Sequence, residues 1–192
     1  PLADAMLAAY KELYASGRVV GIYGATQGVL VLGTSMIESV SGEKVEPAEN
    51  LLFAGDYIVA INDKKVSRKE DLVKLIQESD TDSVVLSLWR NEELIRVAIH
   101  PVKALTENDG EQNMLGIWVK DDMAGIGTLT YYSEDGAFGA LGHGIGNGKT
   151  NDLLKISRGE LYEANVLKIK KGERGVPGEL QGVVYYGYEH RI

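Results

Sequence analysis

The 192-residue sequence contains no cysteine, which excludes disulfides, thiolate metal sites and a cysteine nucleophile, and leaves the redox compartment open because a cysteine-free chain suits either. Long hydrophobic runs are missing too. No stretch approaches the roughly 18 apolar residues of a membrane-spanning helix, and the first residues lack a charged region followed by an apolar one. The chain starts at Pro1 rather than Met, so any signal or anchor would lie upstream of it. Positive charge is scarce: 20 Lys+Arg stand against 28 Asp+Glu, a net charge of −8 with no local basic cluster, which would repel a phosphate backbone and argues against nucleic acid as a partner. The three histidines, His100, His143 and His190, lack metal-ligand spacing, and His100 fits the end of a strand better than a zinc site. The run Gly146-Asn147-Gly148-Lys149-Thr150 has the wrong spacing for a phosphate loop. Asp121 and Asp122 are adjacent, so on a strand they point to opposite faces and do not form an acid/base pair. No metal and no cofactor are therefore expected.

What is present reads as a folded, strand-rich protein. Hydrophobic residues make up 44% and charged residues 25%, ordinary values for a globular chain, and the length predicts two units of roughly 90 residues each. Glycine (23) and tyrosine (10) are abundant, and the apolar runs are short and rich in Val, Ile, Leu and Tyr, the pattern of strands joined by tight turns. Two helices interrupt it. Leu2, Met6, Ala9, Tyr10 and Leu13 recur at helical spacing, which predicts an N-terminal helix within residues 1–17. Ser67 followed by Glu70 has the spacing of a capping box, and Leu72, Leu75 and Ile76 supply an apolar face, which predicts a helix over about 67–78. Strands are expected around it from Val19 to His100. The polar stretch 103–114 reads as a linker, and a second strand set follows over 115–192.

Pro47-Ala48-Glu49 through Phe53-Ala54-Gly55-Asp56-Tyr57-Ile58-Val59-Ala60-Ile61-Asn62 resembles the corresponding stretch of bacterial PDZ domains. Gly55 can take a positive φ before the strand, Asp56 can accept backbone hydrogen bonds in the turn, and Ile58 and Ile61 enter the core around a slightly bulged strand. The resemblance implies a PDZ domain over 18–102. Its peptide groove would lie between the 67–78 helix, with Leu72 near the guest side chains, and the strand of Val20, Gly21, Ile22 and Tyr23, beside which an extended peptide would add. The plainer reading of the same residues is that Gly17 and Gly21 permit turns and Leu72 fills the core.

Gly127 to Tyr132, the Ser133-Glu134-Asp135-Gly136 turn and Phe138 to Leu141 read as a hairpin leading to His143, which Gly142 and Gly144 flank with space for a substrate. Alone, a histidine in a Gly-rich turn is more often structural than catalytic. However, Asp121-Asp122-Met123-Ala124-Gly125-Ile126-Gly127-Thr128-Leu129-Thr130, Gly139-Ala140-Leu141-Gly142-His143 and Lys170-Lys171-Gly172-Glu173-Arg174-Gly175-Val176-Pro177-Gly178-Glu179 together resemble the sporulation stage IV B (SpoIVB) serine peptidases. The resemblance implies a fold that is mainly β with minor helices, a PDZ domain followed by an incomplete trypsin-like β-barrel over 115–192. It implies that His143 is the general base of an extracytoplasmic signalling endopeptidase acting between forespore and mother-cell membranes, where it trims itself and cleaves protein or peptide substrates. The family's Gly-x-Ser-Gly nucleophile motif has no match in this sequence, so the serine and its aspartate are expected beyond Ile192 and residues 1–192 are expected to be inactive alone. The competing expectation is a non-enzymatic PDZ adaptor with a barrel-like scaffold. Gly182 to Tyr188 is uncharged and rich in β-formers, which predicts self-association through residues 160–190.

Overall fold

The computed structural model describes residues 12–106, 110–140, 145–146, 152–176 and 178–192. In chain order the strands are β1 (Tyr14–Ala15), β2 (Val19–Thr34), β3 (Ile37–Glu38), β4 (Lys44–Val45), β5 (Tyr57–Ile61), β6 (Lys64–Lys65), β7 (Val84–Arg90), β8 (Glu93–Ile99), β9 (Val102–Thr106), β10 (Gly110–Met114), β11 (Ile117–Thr128), β12 (Tyr131–Tyr132), β13 (Phe138–Gly139), β14 (Ile156–Lys170) and β15 (Glu179–Val184). Among the described residues the one α-helix, α1, is Lys69–Gln77, and a 3-10 turn covers Tyr188–His190. The protein is mainly β, as its short runs of β-branched, Leu and Tyr residues predict.

Two compact units form, and they interleave along the chain. A helix-bearing unit takes Ala25–Asp122 and Ile145–Arg158, and a ribbon unit takes Pro1–Gly24, Met123–Gly144 and Gly159–Ile192. These compact units differ from the consecutive stretches 1–17, 18–102, 103–114 and 115–192 expected from sequence, which follow family resemblance rather than contacts. The strands β2, β11 and β14 each begin in one unit and end in the other. A strand's periodicity marks which face is buried and carries no sign of where along its length it changes neighbours.

In the helix-bearing unit β5 lies between β2 and β7, with Val29 opposite Ile58 and Tyr57 opposite Trp89, and β8 extends the antiparallel sheet beyond β7. The register shifts between Ile58 and Ala60, at the bulge anticipated from sequence. Alternate residues of these strands, among them Val29, Val31, Ile58, Leu86 and Leu88, meet Leu72 and Ile76 of α1 in one hydrophobic core. The helix begins one turn position later than its sequence signature suggests. Arg68 is the N-cap, so Asp71 rather than Glu70 reaches back to accept the Ser67 and Arg68 N–H groups at 3.1 and 3.0 Å. Those two bonds hold the Asp71 carboxyl below the usual carboxylate range. The polar segment 103–114 is not a linker. Its ends form the β9–β10 hairpin, with Gly110 opposite Thr106 and Met114 opposite Val102, because Ala104 and Leu115 have core positions to fill.

The ribbon unit is built from paired strands. β14 and β15 form an antiparallel ribbon with a register shift between Val166 and Lys168, and β1, β12 and β13 form a small sheet. Of the anticipated N-terminal helix, residues 1–11 lie outside the described residues, while Tyr14 and Ala15 are in β1, opposite Tyr132 and Tyr131. Tyr186 stands edge-on to both Tyr23 and Tyr162. The expected strand 182–188 ends at Val184, after which the Tyr185 N–H donates to the Glu163 carbonyl and the chain turns into the 3-10 segment. These open ribbons are consistent with an incomplete barrel.

Candidate functional site

The turn before β5 is organised by a buried carboxylate. Asp56, 1% exposed, accepts the Phe53 N–H at 2.9 Å and two bonds from Arg90, Nε to Oδ1 at 2.8 Å and Nη2 to Oδ2 at 2.6 Å. The second Nη2 contact of Arg90 goes to the Leu51 carbonyl, and its guanidinium stacks 4.5 Å over the Phe53 ring. A planar fork matched to both carboxylate oxygens fixes the turn in position and angle, which a lysine's point charge would not do. The bond to Asp56 raises the already high Arg90 pKa further, so the guanidinium stays charged.

Helix α1 is tied at its N-terminal end to β11 and at its C-terminal end to β10. Its first N–H, on Lys69, donates to Asp121 Oδ2 at 2.9 Å, and Gln77 holds the Asn113 backbone on both sides, accepting its N–H at 2.9 Å and donating to its carbonyl at 2.7 Å. Asp121 is thus a distant cap on the helix N-terminus, a structural role, and its neighbour Asp122 does not share it. Between these ties Leu115 is buried and Ile117 and Val119 pack on the core. Gly116 turns with φ +63°, and a Cβ there would stand 2.5 Å from the Ser35 carbonyl, so only glycine lets β2 and β11 come together at this point. The Ser35 N–H donates to the Gly116 carbonyl at 2.8 Å, which sets the end of β2 against the start of β11, antiparallel.

Val20, Gly21, Ile22 and Tyr23, the strand of the sequence-predicted groove, lie in the early part of β2, a strand that pairs with β14, β5 and β11. Gly21 is needed for close packing, since a Cβ there would fall 2.2 Å from Val184 Cγ1. Leu72 belongs to the helix-bearing unit and is 2% exposed, a core residue rather than a groove lining. The strand beside α1 is instead the start of β11. Its signal was the alternation of Leu115, Ile117 and Val119, readable as a strand but silent about which helix it would meet.

In the ribbon unit the anticipated hairpin is present. The end of β11 runs into Leu129, whose N–H donates to the Arg18 carbonyl at 2.9 Å, and Tyr131 and Tyr132 pair with Gly139 and Phe138. The turn between them closes through the Ser133 N–H to the Ala137 carbonyl at 2.8 Å and through a short bond from the Ser133 hydroxyl to Asp135, which lowers the Asp135 pKa. Ser133 is thereby 5% exposed and its hydroxyl is committed to the turn. His143 lies outside the described residues. On its C-terminal side the chain returns through Ile145 and Gly146, with the Leu154 N–H donating to the Ile145 carbonyl at 2.8 Å and Gly146 bridged to Leu153. The other two histidines are bonded away from one another: His100 Nδ1 contacts the Asp82 carbonyl at 2.9 Å, and His190 Nδ1 contacts Glu163 Oε2 at 2.9 Å.

Comparison with known proteins gives two similarities. Residues 111–191 match the model of the SpoIVB peptidase S55 family, and residues 38–90 match a PDZ domain, so the two resemblances read from separate motifs fall where those motifs lie. No curated protein gives a significant match to the chain. The PDZ match covers the Asp56 turn, β5, α1 and β7, while the peptidase match covers β11, the hairpin and the β14–β15 ribbon. The chain is thus similar to a PDZ domain over 38–90 and to the SpoIVB peptidase S55 family over 111–191.

Proposed function

We propose that the protein acts in an extracytoplasmic signalling serine endopeptidase in which His143 is the general base and the serine nucleophile is supplied from outside residues 1–192. The observation that carries this reading is the peptidase-family match over 111–191, which includes the Gly139-Ala140-Leu141-Gly142-His143 sequence. An imidazole flanked by glycines accepts the serine proton during attack and returns it to the leaving amine, so the serine needs no low pKa of its own. The described serine nearest to this stretch, Ser133, does not suit the task because its hydroxyl is spent on Asp135 and the Ala137 carbonyl. Cleavage of a regulator in the space between forespore and mother-cell membranes is the setting this family implies.

The PDZ unit recruits extended peptide for that chemistry. Strand addition fits the edge of β11 at Ile117 to Asp121 that faces α1: the Gly116 carbonyl is turned to β2, so strand alternation turns the Ile117 and Val119 backbone groups the other way. The ribbon adds a further contact surface, since β15 is a terminal strand of its sheet with Val183 and Tyr186 exposed, and self-association through 160–190 follows from that edge.

The decisive experiment uses the full-length parent. His143→Ala abolishes self-cleavage while circular dichroism stays unchanged, and retained cleavage would remove His143 from the chemistry. Residues 1–192 alone take no label from a serine-directed fluorophosphonate. Sedimentation at micromolar concentration shows a concentration-dependent dimer that Val183→Lys abolishes; a compact monomer throughout refutes the ribbon contact.

A further inference from the structure

Capping α1 engages one oxygen of Asp121 and leaves the other. The residue is 8% exposed, Oδ2 accepts the Lys69 N–H at 2.9 Å, and Oδ1 has no partner among the described residues. No fully buried side-chain oxygen of the described residues lacks a partner, so Oδ1 reaches the surface. The helix N-terminus offsets about half of the carboxylate charge, and the remainder calls for a cation or further donors. Neighbouring side chains do not provide them. The Lys69 ammonium is turned to Glu70 at 4.0 Å, and Lys120, next in the chain, is exposed on the opposite face of the strand. The first turn of α1 carries Glu70 and Asp71, so this end of the helix adds negative charge beside Asp121. All of these residues belong to the helix-bearing unit.

Strand geometry gives that free oxygen a register. Burial alternates along the start of β11: Ile117, Val119 and Asp121 form the inward row, with the two aliphatic residues packed on the core, while Trp118 and Lys120 are exposed. A strand added to this edge sets one residue opposite each member of the row, on the same face and with Cβ atoms about 4.5–5.5 Å apart. Two apolar neighbours and then a carboxylate make a template of period two. We propose that Asp121 is a specificity-determining residue of the peptide edge, selecting extended guests with apolar side chains opposite Ile117 and Val119 and a Lys or Arg at the next alternate position. The long stem of such a residue lies along the apolar row while its charged head meets Oδ1, whereas an acidic residue there faces a like charge. The chain's net charge of −8 favours encounter with a cationic segment. The inference rests on the reading of β11 as the edge that takes peptide, and adds which peptide it takes.

The test is a nuclear magnetic resonance titration of the 1–192 chain with four blocked heptapeptides, read at the Ile117 and Val119 amides. Two are acetyl-Ser-Val-Ser-Val-Ser-Lys-Ser-amide and its Glu counterpart. The other two carry the same residues in reverse order, because a guest strand can run either way along an edge. In one of the two directions the Lys peptide binds roughly tenfold tighter than its Glu counterpart, the size expected of one charge-assisted hydrogen bond. Asp121→Asn keeps an oxygen for the Lys69 N–H and removes the charge, so the fold by circular dichroism is unchanged and the Lys preference disappears. Equal affinity of the Lys and Glu peptides for the wild-type chain, in both directions, would overturn the selection and leave β11 standing as a peptide edge. A Lys preference that survives in Asp121→Asn would belong to another carboxylate and overturn the assignment to Asp121. Unmoved Ile117 and Val119 amides with all four peptides would remove the β11 edge as a peptide site, and the selection with it.

Discussion

The helix-bearing unit hides its large aliphatic side chains, whereas the ribbon unit leaves many of its own in solvent: Leu72, Leu86 and Ile99 are at most 2% exposed, while Leu167 and Ile169 are 73% and 67% exposed. The first is closed by sheet and helix burying a shared apolar face, with one bidentate ion pair locked beneath it. The second is held by strand pairing, tyrosine edge contacts and exposed pairs such as Arg18 with Glu163. Burial of a methylene group contributes about 0.8 kcal/mol, and a surface ion pair contributes roughly 0–1 kcal/mol, so the two units draw on terms of different size.

The comparison breaks most readily at Asp56. Asp56→Ala leaves the Arg90 guanidinium partly buried without its carboxylate, and stability measured by denaturant unfolding of the helix-bearing unit falls by about 3–5 kcal/mol. A loss under about 1 kcal/mol would show the turn to be held by packing instead. Matched truncations sharpen the contrast. Leu72→Ala costs about 2–5 kcal/mol through its cavity, whereas Leu167→Ala changes stability by no more than about 0.5 kcal/mol. Equal losses at both sites would mean that the ribbon buries Leu167 in solution.

The smallest effect is electrostatic and belongs to the ribbon. The bond from His190, followed by that from Arg18, holds the Glu163 carboxyl below its ordinary value of 4.5. A carboxyl depressed on folding stabilises above its unfolded pKa, and that contribution disappears as pH falls through the lower folded value. Amide exchange at Tyr185 and Ile192, which donate to the Glu163 and Leu161 carbonyls, therefore quickens below about pH 4.5 relative to neutral pH in a Glu163-dependent way. Glu163→Gln flattens that dependence. A profile identical in wild type and variant would assign the segment's attachment to its backbone bonds alone.

Local chemistry was legible because it acts through neighbours in sequence. The Gly55-Asp56 turn, the bulge in β5, the amphipathic face of α1 and the hairpin from Gly127 to Gly139 each follow from periodicity or turn preference within a dozen residues. Even there the helix cap moved by one residue, from Glu70 to Asp71, because the N-cap is chosen by where the helix can start against β11. Pairing is less legible: Val20 to Tyr23 read as a strand on their own, but β14 and β11, which pair with β2, come from more than 90 residues away.

By itself the sequence determined the mainly β class, the two family resemblances and the general position of each strand, since alternation, glycine placement and short motifs are properties of contiguous residues. Tertiary structure decided which unit each end of a long strand joins, which strand flanks α1, and that the Tyr57 phenol accepts the Lys155 N–H. Those outcomes depend on contacts between residues such as Tyr57 and Lys155, 98 positions apart. A hydrogen-bond donor or a strand edge carries no mark of its distant partner until folding brings the two within 3 Å.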